Sequence, residues 1–595
     1  MKKRNTGNIK SVQPDTRLLW WIPVLLLSAW VFADVGTFEF ILWDDDKYVT
    51  QNPMMKQSTW AEIFTIPVAG NYHPLTMLSL KWDYQFGKGL ASTFHKHNAI
   101  LHVANALLVY ILLLSMGVKA HFAAWAGILF GVHPLHVESV AWVSERKDVL
   151  YTFFLLCAWL CWKRYTLKNN LLFYVLAFLL MAMACLSKGM ALVLPFLLAL
   201  DAYLLEGKSF KFLRFRLLPF FLLSLLFVFV SVWAQRSVGA IRESTDYMVW
   251  EKIVFPFYGF WFYLEKMVAP LNLSAVYPYP LKPEGILPLR YMLAMIPVLI
   301  VCVAVFYFRK NKIVVFAFLG FTLCILPVLQ ILPVGNALTA DRYFYVSSLP
   351  LFIGMAYAAQ KYLNSDRVNL RLLIFLCIPL IYVYPARQRV MVWKNTLSLF
   401  SDVVKKYPQV AVAHYNMGIV LNTLQQYVAA EQAYRKAVAA RPDYADAWTN
   451  LGVTLQYQDK YAEAIEVLNK AVLLNPQHVE AHNNLGVAYE RLNNTPTALI
   501  HYRMALSLNP DKVELYNNVG FAHEQTGRLD SARWYYEKAL SMNPEYSTSM
   551  VNMGNTLLKL GHTQEEANEW FMKAARLGHT GAQQYLGQDS GDKGQ

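Results

Sequence analysis

Two observations predict an all-α protein in two parts, a polytopic transmembrane helical domain followed by an α-solenoid. Up to about residue 386 the 595-residue chain is a series of long apolar runs separated by short polar breaks. Beyond that point it turns polar and repeats itself every 34 residues. The whole chain has 56% hydrophobic and 16% charged residues, and its apolar first part calls for a bilayer as its solvent. Much of the net charge of +14 lies in the short breaks, where it sets topology, so it does not call for nucleic acid. The six cysteines (Cys157, Cys161, Cys185, Cys302, Cys324, Cys377) all sit in apolar runs without a CxxC pair. They define neither a disulfide framework nor a metal site.

The basic N-terminus MKKRNTGNIKSVQPDTR precedes LLWWIPVLLLSAWVFADVGTFEF. This run is too long for the apolar core of a signal peptide and reads as an uncleaved first transmembrane helix. The excess of Lys and Arg on cytoplasmic loops then orients the chain. Lys2, Lys3, Arg4, Lys10 and Arg17 lie inside, and residues 41–97 form a large first outer loop. The breaks KRYTLKNN (163–170), EGKSFKFLRFR (206–216), RKNK (309–312) and KYLNSDRVNLR (361–371) return inside. About eleven spans fit, near 18–40, 98–117, 121–141, 149–163, 170–187, 190–206, 217–234, 291–308, 313–332, 345–360 and 371–386. The run 252–270 breaks the count; its Pro256, Gly259 and Glu265–Lys266 suit a helix lying in the interface or re-entering it. Eleven spans place the C-terminal domain outside the cytoplasm.

The repeats are read from Asn-x-Gly at 416–418, 450–452, 484–486, 518–520 and 552–554, with prolines in register at 408, 442, 476, 510 and 544. Small residues recur at Ala430, Ala464, Ala498 and Ala532, and again at Ala437, Ala471, Ala505 and Ala539. This 34-residue pattern is the tetratricopeptide repeat, two antiparallel helices with small residues at their close approach. Five repeats occupy 411–579, after a linker and partial repeat at 387–410 and before a polar tail at 580–595. In the partial repeat, Phe400 and Pro408 fit a second helix while Tyr384 holds the glycine position, so the last transmembrane helix is expected to stand in for a first helix. The fifth repeat slips by one residue at Ala567, Phe571 and Ala574, as a terminal cap does. Asn416, Asn450, Asn484, Asn518 and Asn552 recur on every first helix. Amides there can hold an extended acceptor polypeptide, or bond neighbouring helices to each other.

Ionisable groups near or inside spans are costly, and each is a functional candidate. They gather on the expected outer side. The stretch WDDDKYVTQNP brings Asp44, Asp45 and Asp46; NYHPLTMLSLKWDY brings His73 and Asp83; HKHN brings His95 and His97. GVHPLHVESVAWVSERKD carries His133, His136, Glu138, Arg146 and Lys147, and later breaks hold Lys188, Arg236, Arg242, Asp341 and Arg342. Carboxylates and cations on one face suit a lipid-phosphate-linked substrate. Arg or Lys binds the phosphate, and an aspartate deprotonates an attacking hydroxyl. Plainer readings stand beside these: a solvated helix exit for the Asp triplet, interhelical hydrogen bonds for Asn98, His102 and Asn105, local salt bridges for Arg146 and Lys147, and snorkelling for Lys188. His133, His136 and Glu138 also have the spacing of a metal site, which leaves a divalent ion as an open alternative; no other cofactor is called for.

In their order along the chain, WDDDKYVTQNP, NYHPLTMLSLKWDYQFG, HKHNAILHVANALL, GVHPLHVESVAWVSERKDVL, LNLSAVYPYP and ADRYFYVSSLP, followed by the repeats, give the resemblance. The chain resembles the transmembrane and tetratricopeptide-repeat O-mannosyltransferase-like proteins and their bacterial relatives, among the GT-C glycosyltransferases. The resemblance implies a GT-C fold, a polyprenyl-phosphate-linked sugar donor and inverting transfer on the non-cytoplasmic face, in a bacterial inner membrane with a periplasmic solenoid. It places the acidic motif at Asp44 and Asp45, one of them the general base, with Asp46 able to shift the register. Glu138 joins the catalytic set by position, Arg146, Lys188 and Arg342 are donor-phosphate candidates, and His73, His97 and His133 are supporting residues. The expected partners are the donor lipid, an acceptor polypeptide or glycan on the solenoid, and membrane lipids. A non-catalytic envelope scaffold and a lipid-linked saccharide polymerase or ligase are the rival readings.

Overall fold

Apolar runs become helices in the computed structural model, because a chain in a bilayer must satisfy its backbone hydrogen bonds within itself. The structure describes residues 19–236, 247–282, 285–331, 337–363 and 370–592, in two units, Met1–Pro408 and Gln409–Gln595. In the first unit four helices are long and apolar enough to cross a membrane: Ala91–Ser115, Phe210–Arg236, Leu289–Tyr307 and Leu370–Val392. Shorter apolar helical segments are Trp21–Thr37, Ala120–Val132, Leu171–Ser187, Gly189–Leu205 and Lys312–Val328. Protein buries only 17% of the apolar stretch of Leu289–Tyr307, so the rest of its surface needs lipid. The expected spans at 149–163 and 345–360 fall on Arg146–Lys168 and Phe344–Leu363, which lie outside that apolar set. The 252–270 run is the helix Val249–Val268, also outside it.

Much of the segment read as an outer loop is ordered. Pro74 opens the helix Pro74–Phe86, its missing N–H costing nothing at a first turn. Ala91–Ser115 begins inside the expected loop, so His95 and His97 sit in its first two turns. The polar residues there disguised the helix, yet they have partners. The Asn98 amide donates to the carbonyls of Val140 and Trp142 at 3.1 and 3.0 Å, and His95 Nε2 to the Glu39 carbonyl at 3.1 Å. Further along, His102 Nε2 donates to the Gly131 carbonyl at 3.0 Å and the Asn105 amide to that of Val149 at 2.8 Å. These are the interhelical bonds expected of Asn98, His102 and Asn105. A short antiparallel ribbon pairs Tyr277–Pro278 with Ala337–Thr339, joining LNLSAVYPYP to the approach of ADRYFY. Residues 387–392, expected in a linker, continue the helix Leu370–Val392. Asn395 then caps Thr396–Lys406 by accepting from the Ser398 N–H at 2.9 Å.

The second unit is five helix pairs, from Ala411–Thr423 with Tyr427–Ala440 to Ser547–Lys559 with Gln564–Arg576, followed by Thr580–Asp592 where a polar tail was expected. All eight register alanines from Ala430 to Ala539 are fully buried. The repeating glycine has a steric reason. A Cβ on Gly452 would stand 2.5 Å from Leu468 Cγ, and one on Gly486 would stand 2.4 Å from the Tyr502 ring. The helices of a pair meet where nothing larger than hydrogen fits. Gly452→Val is therefore expected to destabilise the solenoid by about 1–3 kcal/mol. Earlier thermal loss of helical circular dichroism in the full-length protein would show this; an unchanged melt would refute the tight contact.

Candidate active site

Asp44, Asp45 and Asp46 lie on a turn that runs into the short π-helical segment Asp46–Thr50, so their side chains point in different directions. They meet three environments. Asp45 is fully buried: Oδ2 accepts the Ile41 N–H at 2.8 Å, and Oδ1 accepts the Ser144 N–H and hydroxyl at 3.0 and 2.5 Å. Burial pushes its carboxyl up to about 7, against the pull of those hydrogen bonds. Asp44 is partly open and lines a cavity of about 620 Å³, with Oδ1 3.2 Å from Lys47 Nζ. Asp46 does not line that cavity, and its Oδ1 is buried without a hydrogen-bond partner among the described residues.

The first segment is pinned beside the cavity from two sides. Trp43 stacks on Trp142 at 4.6 Å between ring centroids, and Trp142 stacks on Trp393 at 5.6 Å. The Leu42 N–H donates to Thr396 Oγ1 at 2.9 Å and the Glu39 N–H to the Lys394 carbonyl at 3.0 Å. Trp43 and Trp142 are themselves cavity walls.

Charge is concentrated around Glu145. Its carboxylate faces Lys147 Nζ at 3.2 Å, Lys188 Nζ at 3.5 Å and Arg342 Nε at 3.4 Å. Burial alone would raise the Glu145 carboxyl, but these three cations outweigh it and hold it at about 2. Burial likewise opposes the charges on Lys147 and Lys188, and their carboxylate neighbours reverse that and raise both. Lys188 also pairs with Asp148 at 2.5 Å; burial still lifts Asp148 to about 6. Arg342 is aimed by Glu138, which binds its guanidinium and accepts its backbone N–H at 3.3 Å. Lys47, Lys147, Lys188 and Arg342 line the cavity against two carboxylates, Asp44 and Glu145. The surplus is positive and suits an anion such as a phosphate.

Several expected site residues lie elsewhere. Glu138 stands behind Arg342, outside the lining. Arg146 does not reach the cavity either. It is buried, with Nη2 on Asp83 at 2.5 Å and on the Phe94 carbonyl at 2.9 Å, Nη1 on Ser79 at 3.1 Å, and Nε on the Asn98 side chain. His97 bonds the other oxygen of Asp83 at 2.5 Å. His73 stacks on Tyr48 and lines a smaller adjoining cavity of about 130 Å³ with Lys147 and Lys188; burial drives its imidazole down to about 3. His133 donates from Nε2 to the Met267 carbonyl at 2.9 Å, and His136 from Nδ1 to that of Phe130 at 2.8 Å. No group of three potential ligands gathers among the described residues, so the metal alternative finds no ligand set there.

In the second unit three of the five repeat asparagines bond neighbouring helices. Asn450 donates to the Tyr415 hydroxyl at 3.2 Å, Asn518 to Asn483 at 2.8 Å and Asn552 to Asn517 at 3.0 Å. Asn484 donates to the Glu480 carbonyl of its own helix at 2.8 Å, and Asn416 is buried. The inter-repeat role, one of the two readings the sequence left open, is displayed by Asn450, Asn518 and Asn552.

Sequence reasoning passed over Glu145, Lys47 and Tyr48 as cavity residues, and of the candidates Arg146 and Lys147 it put Arg146 forward for the donor phosphate. Arg146 opens the helix Arg146–Lys168, so Arg146 and Lys147 point about 100° apart, Arg146 toward Asp83 and Lys147 toward the cavity.

Tetratricopeptide-repeat family profiles match residues 397–445, 443–511 and 513–546. A protein O-mannosyl-transferase of Caenorhabditis elegans is 24% identical over 438 residues, 68% of this chain and 60% of that protein. Protein O-mannosyl-transferase TMTC3 of Mus musculus is 23% identical over 438 residues, 62% of this chain and 44% of that protein. The chain thus spans 60% and 44% of the length of these two relatives. Among solved structures, MamA is 26% identical over 30% of this chain and 96% of its own, with a TM-score of 0.26. A thermophilic tetratricopeptide-repeat protein of Thermus thermophilus is likewise 26% identical, over 32% of this chain and 97% of its own, with a TM-score of 0.24.

The two aspartates should separate by experiment. Asp45→Asn turns an amide toward the Ile41 N–H and is expected to cost about 1–3 kcal/mol. Asp44→Asn should leave the melting temperature of the purified protein nearly unchanged. Folded Asp45 keeps a proton up to about pH 7 that the unfolded chain releases near 3.8. Its contribution to stability is therefore full below about pH 4 and lost as pH rises through about 7. Asp45→Asn should flatten that part of the pH–melting curve; equal curves for the two proteins would refute the assignment.

Proposed function

We propose, for a chain related to the TMTC-type protein O-mannosyl-transferases and carrying tetratricopeptide repeats, that it is an integral-membrane inverting glycosyltransferase. The sugar passes from a polyprenyl-phosphate-linked donor to a polypeptide hydroxyl on the extracytoplasmic face, and the solenoid recruits the acceptor. The observation that carries this reading is one cavity holding a partly open carboxylate, Asp44, together with Lys147, Lys188 and Arg342.

The chemistry follows from those groups. Asp44 accepts the proton of the acceptor hydroxyl as its oxygen attacks the anomeric carbon. The bond from that carbon to the phosphate oxygen breaks on the opposite side, which inverts the configuration. The donor phosphodiester carries one negative charge, and the departing polyprenyl phosphate gains a second. Cations fixed beforehand around that oxygen bind the transition state more tightly than the ground state, which is what accelerates the step. Glu145, Asp148 and Glu138 hold the cations in place. Asp45 and Arg146 hold the segments that carry Asp44 and Lys147.

The test is reconstitution of full-length protein with polyprenyl-phosphate sugars and a hydroxyl-bearing peptide. Asp44→Asn should lower kcat by roughly 10²–10⁴-fold with an unchanged melting temperature. Lys188→Ala should weaken the donor more than the acceptor. Transfer by Asp44→Asn at the wild-type rate would refute the base. Full biological activity after replacement of residues 1–386 by a single membrane anchor would favour a scaffold instead.

A further inference from the structure

A second cavity, also of about 620 Å³, opens beside the first and shares Lys47 and Ala69 with it. It is a shallow groove, largely open to solvent. The first outer segment builds it alone, from Gln51 to Ala69 together with Lys47.

Buried polar contacts set this groove in advance. Lys81 is 2% exposed and points its ammonium at the carbonyls of Met54 and Ser58, 2.7 Å from each. Asn52 accepts from the Met54 N–H at 2.9 Å and donates to the Lys47 carbonyl at 2.7 Å. The partition between the two cavities is a tight turn in which Val68 and Asn71 exchange both backbone hydrogen bonds at 2.9 Å. Its central residues, Ala69 and Gly70, have φ of +47° and +74°. A left-handed alanine is a strained choice, and such strain gathers at functional sites. Asn71 then donates to the Tyr48 hydroxyl at 3.5 Å, at the wall of the first cavity.

The lining suits one class of occupant. Ile66, Pro67 and Met54 supply aliphatic surface, and Gln51 and Gln57 carry exposed amides with no partner among the described residues. A free amide offers a donor and an acceptor to a peptide backbone without reading its side chains. A glycan would call for aromatic faces to stack on its rings, and no aromatic residue lines this groove among the described residues. We infer that the groove bounded by Gln51, Gln57, Ile66 and Ala69 seats the acceptor as an extended polypeptide and passes its hydroxyl beside Lys47 to Asp44. This rests on the transferase reading above, and it assigns the reacting segment of the acceptor to the first outer segment rather than to the repeat asparagines.

The experiment uses the full-length protein in nanodiscs and a synthetic peptide with one threonine and a benzophenone residue two positions away. Photolysis is expected to attach the peptide within residues 51–69, in wild type and in Asp44→Asn alike. Gln51→Ala with Gln57→Ala, and separately Ile66→Glu, should raise the peptide KM by about tenfold, the value of one or two hydrogen bonds, with a smaller change in kcat. Adducts confined to the repeats, unchanged KM in both variants, or protection by an oligosaccharide rather than by unlabelled peptide would overturn the inference. Adducts at 51–69 without sugar transfer by wild type would keep the groove and refute the transferase reading. Failure of both would remove both.

Discussion

Everything at the cavity depends on Glu145, one buried carboxylate within 3.5 Å of three cations. Two like charges about 4 Å apart cost on the order of 4 kcal/mol at an effective dielectric of about 20. Lys147, Lys188 and Arg342 could not be gathered around an empty cavity without a shared counter-ion. Glu145 is that counter-ion, and its own charge is bearable only because the cations are there. The arrangement is mutual and therefore rigid. Asp148 and Glu138 extend it outward, each taking one cation from behind. The result is a positive surface fixed before any anion arrives, and preorganised charge of this kind favours a developing anion over a settled one.

A rigid charge cluster is useful only if the acidic segment stays beside it. That segment is a short turn rather than a long helix, so its position comes from tertiary contacts. Asp45 is bonded to Ser144, one residue before Glu145, and the Trp43–Trp142–Trp393 stack brackets the same stretch. The segment 142–148 is thus the common floor. Arg146 anchors it downward to Asp83 and Asn98, while Glu145 and Lys147, its neighbours on either side, serve the cavity. The two-strand ribbon and the hydrogen bond from the Tyr277 hydroxyl to Asp341 at 2.7 Å set the residue before Arg342 in the same way.

The repeats were legible because their pattern is strictly local. A 34-residue period names each contact, and the buried alanines and crowded glycines follow in register. Long apolar runs were legible for the same reason. The polar stretch at 41–98 was not, because its polar residues offset their desolvation through partners outside their own helical turn, such as Asn98 with Val140 and His97 with Asp83. Site residues were half legible. Residue types and the side of the membrane domain could be argued, since buried charge is rare. Which of two adjacent residues faces the cavity could not, because that depends on where a helix starts. Asp44 and Asp45, and Arg146 and Lys147, are both pairs of this kind, and each splits into one cavity residue and one anchor.

The two ends of the cavity also differ in how firmly they are built, and this bears on the order of events. The Asp44–Lys47 pair is open to solvent, with side-chain exposures of 29% and 58%, and such pairs contribute about 0–1 kcal/mol. An incoming hydroxyl can displace Lys47 from Asp44 at little cost. The Glu145 cluster is buried, and removing a partner from a buried pair costs about 3–5 kcal/mol. One end yields and the other does not. On the transferase reading proposed above, the fixed end suits the donor phosphate and the yielding end suits the acceptor, which has only a weakly held pair to displace.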